Sequence, residues 1–236
     1  MRALFIQHDP GADPGLVGRA LERRGYEPHL LPMAGSVHDG TWHGRYPDPR
    51  AFEVIVSLGA IWSLYDRMQV GSWIDRELDL LRAADAGGIP VLGICFGGQA
   101  LAAAHGGVVE VAQRPEIGWT SVDSEDPDLV PGGPWMQWHT DRFTIPAGAT
   151  EIARNAVCPQ AFRLRRNLAV QFHPEVDEDI VAKWLELGGR DAIGLVEATG
   201  GSVGALLSDA RAQRARAEVD VERMVGGFLR DVAGLA

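Results

Sequence analysis

Two short motifs hold the residues most able to do chemistry, and the first is built around a cysteine. Cys95 stands between Gly93 and Gly97, after the apolar run 90–94 and before an alanine-rich stretch. This is the thiol form of the nucleophile elbow, in which the nucleophile occupies a sharp turn from a strand into a helix. Glycine is expected at both flanks because a Cβ there would collide with neighbouring chain. The helix N-terminus favours a thiolate, so we predict that Cys95 is a nucleophile rather than a packing residue.

The second motif supplies a base. Of seven histidines, His173 stands out because it follows the apolar segment 168–172 and precedes Pro174 and Glu175. A residue before proline is held extended, and residues two apart in an extended chain project to the same side. We therefore predict that His173 is the base and that Glu175 orients it. The order nucleophile, histidine, acid differs from that of the α/β-hydrolases, which disfavours a plain hydrolase.

The other cysteine, Cys158, lies in a turn-like stretch before Pro159, with no base or helix start nearby. Neither cysteine belongs to a Cys-x-x-Cys motif or to a Cys/His cluster with the spacing of metal ligands. We therefore predict that Cys158 is inert, that both thiols are free, and that the protein needs no metal and no cofactor.

The first hundred residues alternate short β-branched runs with longer helical patterns, which is typical of βαβ units and a parallel sheet. Ser72, with Asp75 three residues later, predicts a capping box at a helix start. The predicted strands are 3–7, 27–31, 53–58 and 91–94, and the predicted helices are 16–24 and 72–86. The irregular stretch 32–49 has the length of a binding or lid segment.

After residue 107 the pattern changes to short alternating segments, which predicts antiparallel pairing; they are 108–111, 119–122, 135–138, 143–145, 160–164 and 168–172. Helical periodicity returns from Asp177 and predicts packing helices, with a partner-docking surface as the alternative. We predict an α/β fold with a flavodoxin-like open twisted, mostly parallel sheet flanked by helices, an additional small antiparallel sheet and a C-terminal helical extension. Residues 1–190 would form the main domain, and 191–236 the extension packed on it.

Composition narrows the class of protein. The chain has 236 residues, with 32 acidic and 22 basic side chains and a formal charge of −10, which argues against nucleic acid as a partner. No run of eighteen apolar residues occurs, and the N-terminus enters a strand pattern without the features of a signal peptide. We therefore expect a cytoplasmic protein without a membrane partner.

With these residues in hand, the sequence resembles the class I (triad) glutamine amidotransferases, particularly the amidotransferase domain of GMP synthase and its stand-alone relatives. The resemblance spans about residues 1–190. The segments G-I-C-F-G-G-Q (93–99) and A-V-Q-F-H-P-E-V (169–176) match the two most specific motifs of that family. Weaker matches are E-I-G-W (116–119), W-H-T-D (138–141), which resembles Ser-His-Gly-Asp, and S-L-G-A (57–60), which resembles Ser-Gly-Gly-Pro.

The resemblance implies hydrolysis of a γ-carboxamide. Cys95 would attack the side-chain carbonyl of glutamine, and His173 would protonate the departing ammonia and then activate water to release glutamate from the thioester. The two backbone amides of the family's oxyanion hole correspond to Gly59 and Phe96. Gln99 is similar to a substrate-contacting residue, or it only caps its helix. His139 lies in a segment that lines the pocket, or it is a strand histidine with satisfied hydrogen bonds.

The sequence also departs from the family pattern. Leu58 and Ala60 replace a glycine and a proline, while Trp138 and Thr140 replace a serine and a glycine. The bulkier side chains are expected to reshape the pocket, and tryptophans at 62, 119 and 138 favour an unusual substrate.

Three interpretations of the function follow. The first is a glutaminase subunit or stand-alone amidotransferase that passes ammonia to a synthase subunit. The second is a γ-glutamyl peptidase or hydrolase acting on glutathione-like or other γ-glutamyl compounds. The third is a non-catalytic binding module, which the intact Cys95, His173 and Glu175 argue against.

Overall fold

The computed structural model describes residues 1–235; Ala236, the last residue of the predicted extension, lies outside the described residues. Most of this part of the chain alternates between strands and helices. In chain order these elements are β1 (Arg2–Gln7), α1 (Gly15–Glu22), β2 (Glu27–Pro32), β3 (Val54–Ser57), α2 (Arg67–Val70), α3 (Ile74–Ala86), β4 (Val91–Ile94), α4 (Phe96–Ala104), β5 (Val109–Thr120), β6 (Asp123–Ser124), β7 (Trp135–Phe143), β8 (Thr150–Arg154), β9 (Pro159–Leu164), β10 (Asn167–Val170), α5 (Glu178–Ala198) and α6 (Val203–Gly227). A 3₁₀ turn covers Pro49–Ala51 and a π-helical turn covers Phe228–Val232.

The main sheet has the strand order β2–β1–β3–β4–β10–β9–β8–β6. The first five strands are parallel, and the last three continue the sheet in antiparallel fashion. Strands β5 and β7 form a separate antiparallel pair. Every residue of β3, β4 and β10 is buried, as expected for parallel strands covered on both faces. The predicted α/β fold with an additional small antiparallel sheet and C-terminal helices is confirmed.

Helices cover both faces of this sheet. Alternate residues of β1 face opposite sides: Phe5 packs in one apolar core with α1 and the second half of α6, whereas Ile6 packs in another with α3 and α4. A smaller core joins α5, the first half of α6 and Met136 of β7. The carboxyl ends of β1, β3, β4 and β10 therefore meet at one edge of a rigid, well-packed layer, where ligands of open α/β sheets usually bind.

The C-terminal region follows the predicted helical periodicity. Helix α5 contains a non-helical residue, Gly189, whose φ of 53° and ψ of −130° bend it near the middle. The second half of α6 places Val221, Met224 and Val225 in the same core as Phe5. The boundary between domains 1–190 and 191–236 stays a prediction.

Several boundaries differ from the prediction. The segments predicted at 108–111 and 119–122 are one strand, β5, whose pairing with β7 shifts register between Val111 and Glu116. The segments predicted at 135–138 and 143–145 likewise belong to one strand, β7, which ends at Phe143. Alternation alone could not show that a bulge, rather than a turn, interrupts β5. Strand β8 was not predicted, because its sequence T-E-I-A-R carries little apolar alternation.

The predicted capping box at Ser72 is wrong. Helix α3 begins at Ile74 with Trp73 at the N-cap and no side-chain cap, while Asp75 pairs with Arg67. The Ser72 hydroxyl instead accepts a hydrogen bond from the backbone N–H of Trp42, at 3.0 Å. The Ser72 hydroxyl is therefore used in a tertiary contact with Trp42 and not as the cap of α3.

That contact helps to hold the stretch that follows β2. Residues 33–48 contain no helix or strand but are fixed to the start of α3 by side chains. The indole of Trp73 donates to the Gly40 carbonyl at 2.7 Å, and Arg76 donates to the Gly44 carbonyl at 2.7 Å.

None of the helices among residues 1–235 has the length and apolar character needed to span a membrane.

Candidate active site

Cys95 occupies the turn between β4 and α4. It is 5% exposed and has φ 51° and ψ −107°, a backbone conformation that is rare for a residue with a side chain. The two glycines predicted from the motif are sterically required. A Cβ on Gly93 would lie 2.5 Å from the Gly97 carbonyl oxygen, and one on Gly97 would overlap the Ser57 carbonyl. The turn is therefore pressed against the end of β3.

His173 and Glu175 lie just beyond β10. The ring Nδ1 of His173 is 2.7 Å from Oε1 of Glu175, and both side chains are nearly fully buried. The backbone N–H of His173 donates to the Met136 carbonyl at 2.8 Å, which fixes the residue against β7. The backbone carbonyl of Glu175 accepts a hydrogen bond from the N–H of Leu16 at the start of α1. Backbone hydrogen bonds to β7 and α1 thus hold His173 and Glu175 in place.

The structure brings these three side chains together around Gly59. A Cβ placed on Gly59 would lie 3.0 Å from Cε1 of His173 and 3.9 Å from Cβ of Cys95. The imidazole and the Cys95 side chain therefore lie on the same side of Gly59, where the sulfur can act on the charge of the ring. Burial lowers the pKa of His173, but the charge of Glu175 and the sulfur of Cys95 outweigh this, so the pKa is raised well above its ordinary value.

Gly59 and Phe96, the residues that correspond to the family's oxyanion hole, have backbone N–H groups without an acceptor in the described part of the chain. Phe96 is the first residue of α4, so its N–H has no acceptor within the helix. Among residues 1–235, neither Gly59 nor Phe96 donates its backbone N–H to another residue. The N–H of Gly97 donates to the Leu58 carbonyl at 3.0 Å and ties the two segments together. Gly59 and Phe96 line the same cavity as Cys95 and His173.

Gln171 is a residue that the sequence reasoning missed. Its side-chain amide donates to the Cys95 sulfur at 3.7 Å, and its oxygen accepts from Gln99 at 3.4 Å. Gln99 lines the cavity, as its predicted role requires, but its amide nitrogen points to Gln171. The sequence could have indicated this position. Gln171 stands two residues before His173 in an extended segment, so the two side chains project to the same face.

His139 also lines the cavity, and its ring is fully engaged with neighbours. Nδ1 is 2.9 Å from the Asp141 carbonyl, and Nε2 is 3.1 Å from Gln137 Oε1 and 3.3 Å from Glu116 Oε2. These contacts hold the ring of His139 in one orientation. The alternative of a strand histidine with satisfied hydrogen bonds therefore describes its ring, while the lining position agrees with the resemblance.

Cys158 lies close to this histidine. Glu116, His139 and Cys158 offer ligand atoms within 4.8 Å of one another, a spacing that could accept a metal ion. The two oxygens of Glu116 already accept from Asn155 at 2.7 Å and Gln160 at 3.1 Å. Burial and the charge of Glu116 raise the pKa of the Cys158 thiol to about 12, which keeps it protonated. The group is a satisfied hydrogen-bond network, and the expectation of no metal stays a prediction.

The cavity has a volume of about 350 Å³ and two contrasting sides. We call Gly59, Cys95, Phe96 and His173 the thiol side. Trp62, Trp138 and Trp184 also line the cavity, and we call these three residues the tryptophan side; Val37 and His38 of the 33–48 stretch and Leu187 and Leu195 of α5 are further lining residues. Among residues 1–235, no lysine or arginine lines this cavity.

The tryptophan side differs from the sequence expectation in one member. Trp62 and Trp138 line the cavity as expected, but Trp119 does not and packs between two apolar cores. The third tryptophan of the cavity is instead Trp184 of α5. Its ring packs edge-on against the rings of His173 and Trp138, with centroid distances of 4.8 Å and 5.5 Å. Trp184 lies in a helix with no recognised motif, so only the tertiary fold reveals it.

Comparison with known proteins gives consistent findings. The family model "Glutamine amidotransferase class-I" matches residues 67–181, which include Cys95, His173 and Glu175. The chain is 42% identical over 113 residues to GMP synthase [glutamine-hydrolyzing] of Nitrosomonas eutropha, covering 41% of this chain and 22% of that protein. It is 39% identical over 132 residues to the GMP synthase of Thermomicrobium roseum, covering 52% and 23%. The chain thus spans about a fifth of the length of these curated relatives.

Solved structures show the same fold. A glutamine amidotransferase from Thermotoga maritima has a TM-score of 0.82 at 23% identity, covering 97% of this chain and 98% of that chain. A glutamine amidotransferase from Methylobacillus flagellatus has a TM-score of 0.82 at 24% identity, covering 98% and 95%.

Proposed function

This chain is a relative of the class I glutamine amidotransferases, a family of enzymes, as the sequence indicated, and we propose that it hydrolyses a γ-carboxamide through a Cys95–His173–Glu175 triad. One observation carries the proposal: Cys95, on a strained turn at a helix N-terminus, lies beside Gly59 together with an imidazole whose Nδ1 is 2.7 Å from a buried carboxylate. A nucleophile, a base and an orienting acid in this order are the parts that acyl transfer needs.

The reaction begins with attack of the Cys95 thiolate on the carboxamide carbon of glutamine. The developing oxyanion is stabilised by the free N–H groups of Gly59 and Phe96, which are fixed before the reaction begins. The imidazolium of His173 gives its proton to the leaving nitrogen, and ammonia departs to leave a γ-glutamyl thioester. Neutral His173 then takes a proton from water as the water attacks the thioester. Glutamate leaves and the thiolate–imidazolium pair is restored.

A γ-glutamyl peptidase or hydrolase is the alternative, and the tryptophan side favours it. The chemistry is unchanged except that an amine, rather than ammonia, leaves the γ-carbonyl carbon. Three tryptophans line the same cavity as the thiol, and their indoles offer apolar surface that ammonia does not need but the substituent of an amine would contact. Apolar and aromatic walls with few polar groups are typical of sites that enclose more than a small fragment.

An ammonia-accepting partner belongs to the first reading. The matched relatives named GMP synthase are about five times longer than the matched stretch, so a synthase as fused neighbour or separate subunit is part of this proposal. Ammonia formed at Cys95 would then be consumed by that partner. Glutamine hydrolysis by the purified chain should rise when such a synthase is added, whereas hydrolysis of γ-glutamyl peptides should not depend on it.

The decisive experiment follows glutamate release from glutamine and, separately, from γ-glutamyl peptides. Release from glutamine supports the amidotransferase reading, and release from the peptides alone supports the peptidase reading. A glutamine-analogue electrophile should label Cys95 in the wild type and not in Cys95→Ala. The Cys158→Ala variant is the matched control and should be labelled like the wild type. An unlabelled wild type that hydrolyses neither substrate would contradict the enzyme proposal.

A further inference from the structure

His8, at the end of β1, is a buried histidine to which neither the triad nor the proposed reaction assigns a role. Its side chain and that of Glu77 in α3 are both 0% exposed. Nε2 of His8 is 3.0 Å from each carboxylate oxygen of Glu77, and Nδ1 is 3.1 Å from the Gly59 carbonyl. The ring thus links a buried carboxylate to the backbone of a residue on the thiol side.

Hydrogen-bond accounting fixes the protonation of this ring. A carbonyl and a carboxylate only accept hydrogen bonds, so both ring nitrogens must carry hydrogen for every contact to be satisfied. Burial lowers the pKa of His8, but the charge and hydrogen bond of Glu77, the Gly59 carbonyl and the charge of Asp9 outweigh it and raise the pKa. His8 is therefore an imidazolium held against a carboxylate.

The carboxylate is itself held on its remaining sides. Ser57 donates its hydroxyl to Glu77 Oε1 at 2.9 Å, and Tyr46 donates to Oε2 at 3.1 Å. A buried ion pair is stable only when its remaining hydrogen-bonding capacity is satisfied, and this one meets that condition. Glu77 therefore holds the His8 ring in one orientation.

Both proposed oxyanion residues touch that ring. Nδ1–H fixes the peptide plane that follows Gly59 through its carbonyl, and so limits rotation about the Gly59 backbone. The ring also packs against the Phe96 side chain at 4.8 Å, with Trp73 at 5.4 Å. One side chain thus holds the backbone of one N–H donor and packs against the side chain of the other.

We propose that His8, oriented by Glu77, is a positioning residue that sets the geometry of the oxyanion site formed by Gly59 and Phe96. This inference rests on the proposed function, because an oxyanion forms only if Cys95 attacks a carbonyl. His8 does not touch the substrate; it acts through the backbone of Gly59. Loss of its Nδ1 hydrogen bond should slow thioester formation and leave the reactivity of the thiol unchanged.

A matched pair of variants separates the two nitrogens of the ring. In His8→Asn the amide nitrogen takes the place of Nδ1 and keeps the bond to Gly59, whereas in His8→Gln it takes the place of Nε2 and keeps the bond to Glu77. We expect kcat to fall about 100-fold in His8→Gln, as for a displaced oxyanion donor, and less than about 5-fold in His8→Asn. KM should stay near the wild-type value in both variants.

Alkylation of Cys95 by iodoacetamide distinguishes a displaced oxyanion site from general structural damage, because only structural damage would change the rate of alkylation. It requires the thiolate but forms no oxyanion, so its rate should equal the wild-type rate in both variants. Equal kcat values for the two variants, or alkylation that falls as much as hydrolysis, would overturn the proposal. If circular dichroism shows that these variants do not fold, Glu77→Gln takes their place, with lowered kcat and unchanged alkylation expected. Unchanged kcat in that variant overturns the proposal.

The wild-type assay tests the proposed function separately. Absence of hydrolysis by the wild-type protein contradicts that function. Wild-type hydrolysis without a difference between His8→Asn and His8→Gln contradicts only the role of His8.

Discussion

The two sides of the cavity are built in different ways. The thiol side comes from the segments that follow the buried parallel strands β3, β4 and β10 and from the first turn of α4. The tryptophan side is assembled from the loop after β3, from β7 and from α5, which meet only in the folded chain. Rigid elements thus carry the proposed chemistry, while separate elements shape the space around it. The comparison teaches that reaction and substrate preference can change independently.

The largest expected effect lies at the centre of the thiol side. Cys95→Ala should lower kcat/KM for hydrolysis by at least about 10⁴-fold, because no other group here can form the thioester. Cys158→Ala should stay within about threefold of wild type, since its protonated thiol lies outside the cavity. Glutamate release by both purified variants measures this. Comparable losses would show that the two cysteines share a role and would break the comparison.

A smaller loss is expected when the acid is neutralised. Glu175→Gln should lower kcat about 10³-fold, because the amide neither fixes the His173 tautomer nor stabilises its charge. The raised pKa of His173 means that its acid form persists well above pH 6.5, so activity should fall only as pH rises through that higher value. Removal of the Glu175 charge should move this loss of activity to lower pH. Rates of hydrolysis measured from pH 5 to 10 give the shift, and a loss of activity at the same pH in wild type and Glu175→Gln would contradict the prediction.

Gln171 provides a test at the edge of the thiol side. Gln171→Leu should lower both hydrolysis and iodoacetamide alkylation of Cys95 about tenfold, because a hydrogen bond to the thiolate is lost. His8→Gln is the natural contrast, since there hydrolysis alone should fall. Alkylation rates for both variants at one pH decide the matter. An unchanged alkylation rate in Gln171→Leu would show that the 3.7 Å contact does not stabilise the thiolate.

The smallest effect is expected on the tryptophan side. Trp138→Ser, which restores the residue of the family pattern, should change the ratio of kcat/KM for γ-glutamyl peptides over glutamine about fivefold, in favour of glutamine. Trp119→Phe, which alters a tryptophan outside the cavity, should leave that ratio unchanged. Competition between the two substrates measures it. Equal ratios in both variants would mean that the indoles do not select the substrate.

The sequence predicted most of the thiol side for a physical reason. A strand, a glycine-flanked cysteine and a helix in succession leave few conformations for the turn, so Cys95 and the need for its flanking glycines could be predicted from local pattern alone. His173 and Glu175 follow from the extended conformation that Pro174 imposes. Gly59 and Phe96 came from the resemblance, and Gly59 lies beside the side chains of Cys95 and His173.

The remaining features could not be predicted because they depend on distant partners. His8 directly follows a predicted strand, but Glu77 lies a long way along the chain, and only the packing of α3 against the sheet joins them. Trp184 carries no motif. The Ser72 capping box failed because the hydroxyl bonds Trp42 instead, a contact that a local rule does not contain.

Strand β10 is the last strand in the chain, yet it lies between β4 and β9 in the middle of the sheet. During synthesis at about 5–20 residues per second, the nucleophile therefore leaves the ribosome several seconds before its imidazole partner. Until then β4 lacks its neighbour on that side, because the segment that pairs with it has not yet been made. The proposed triad therefore cannot exist before the last strand of the sheet is in place.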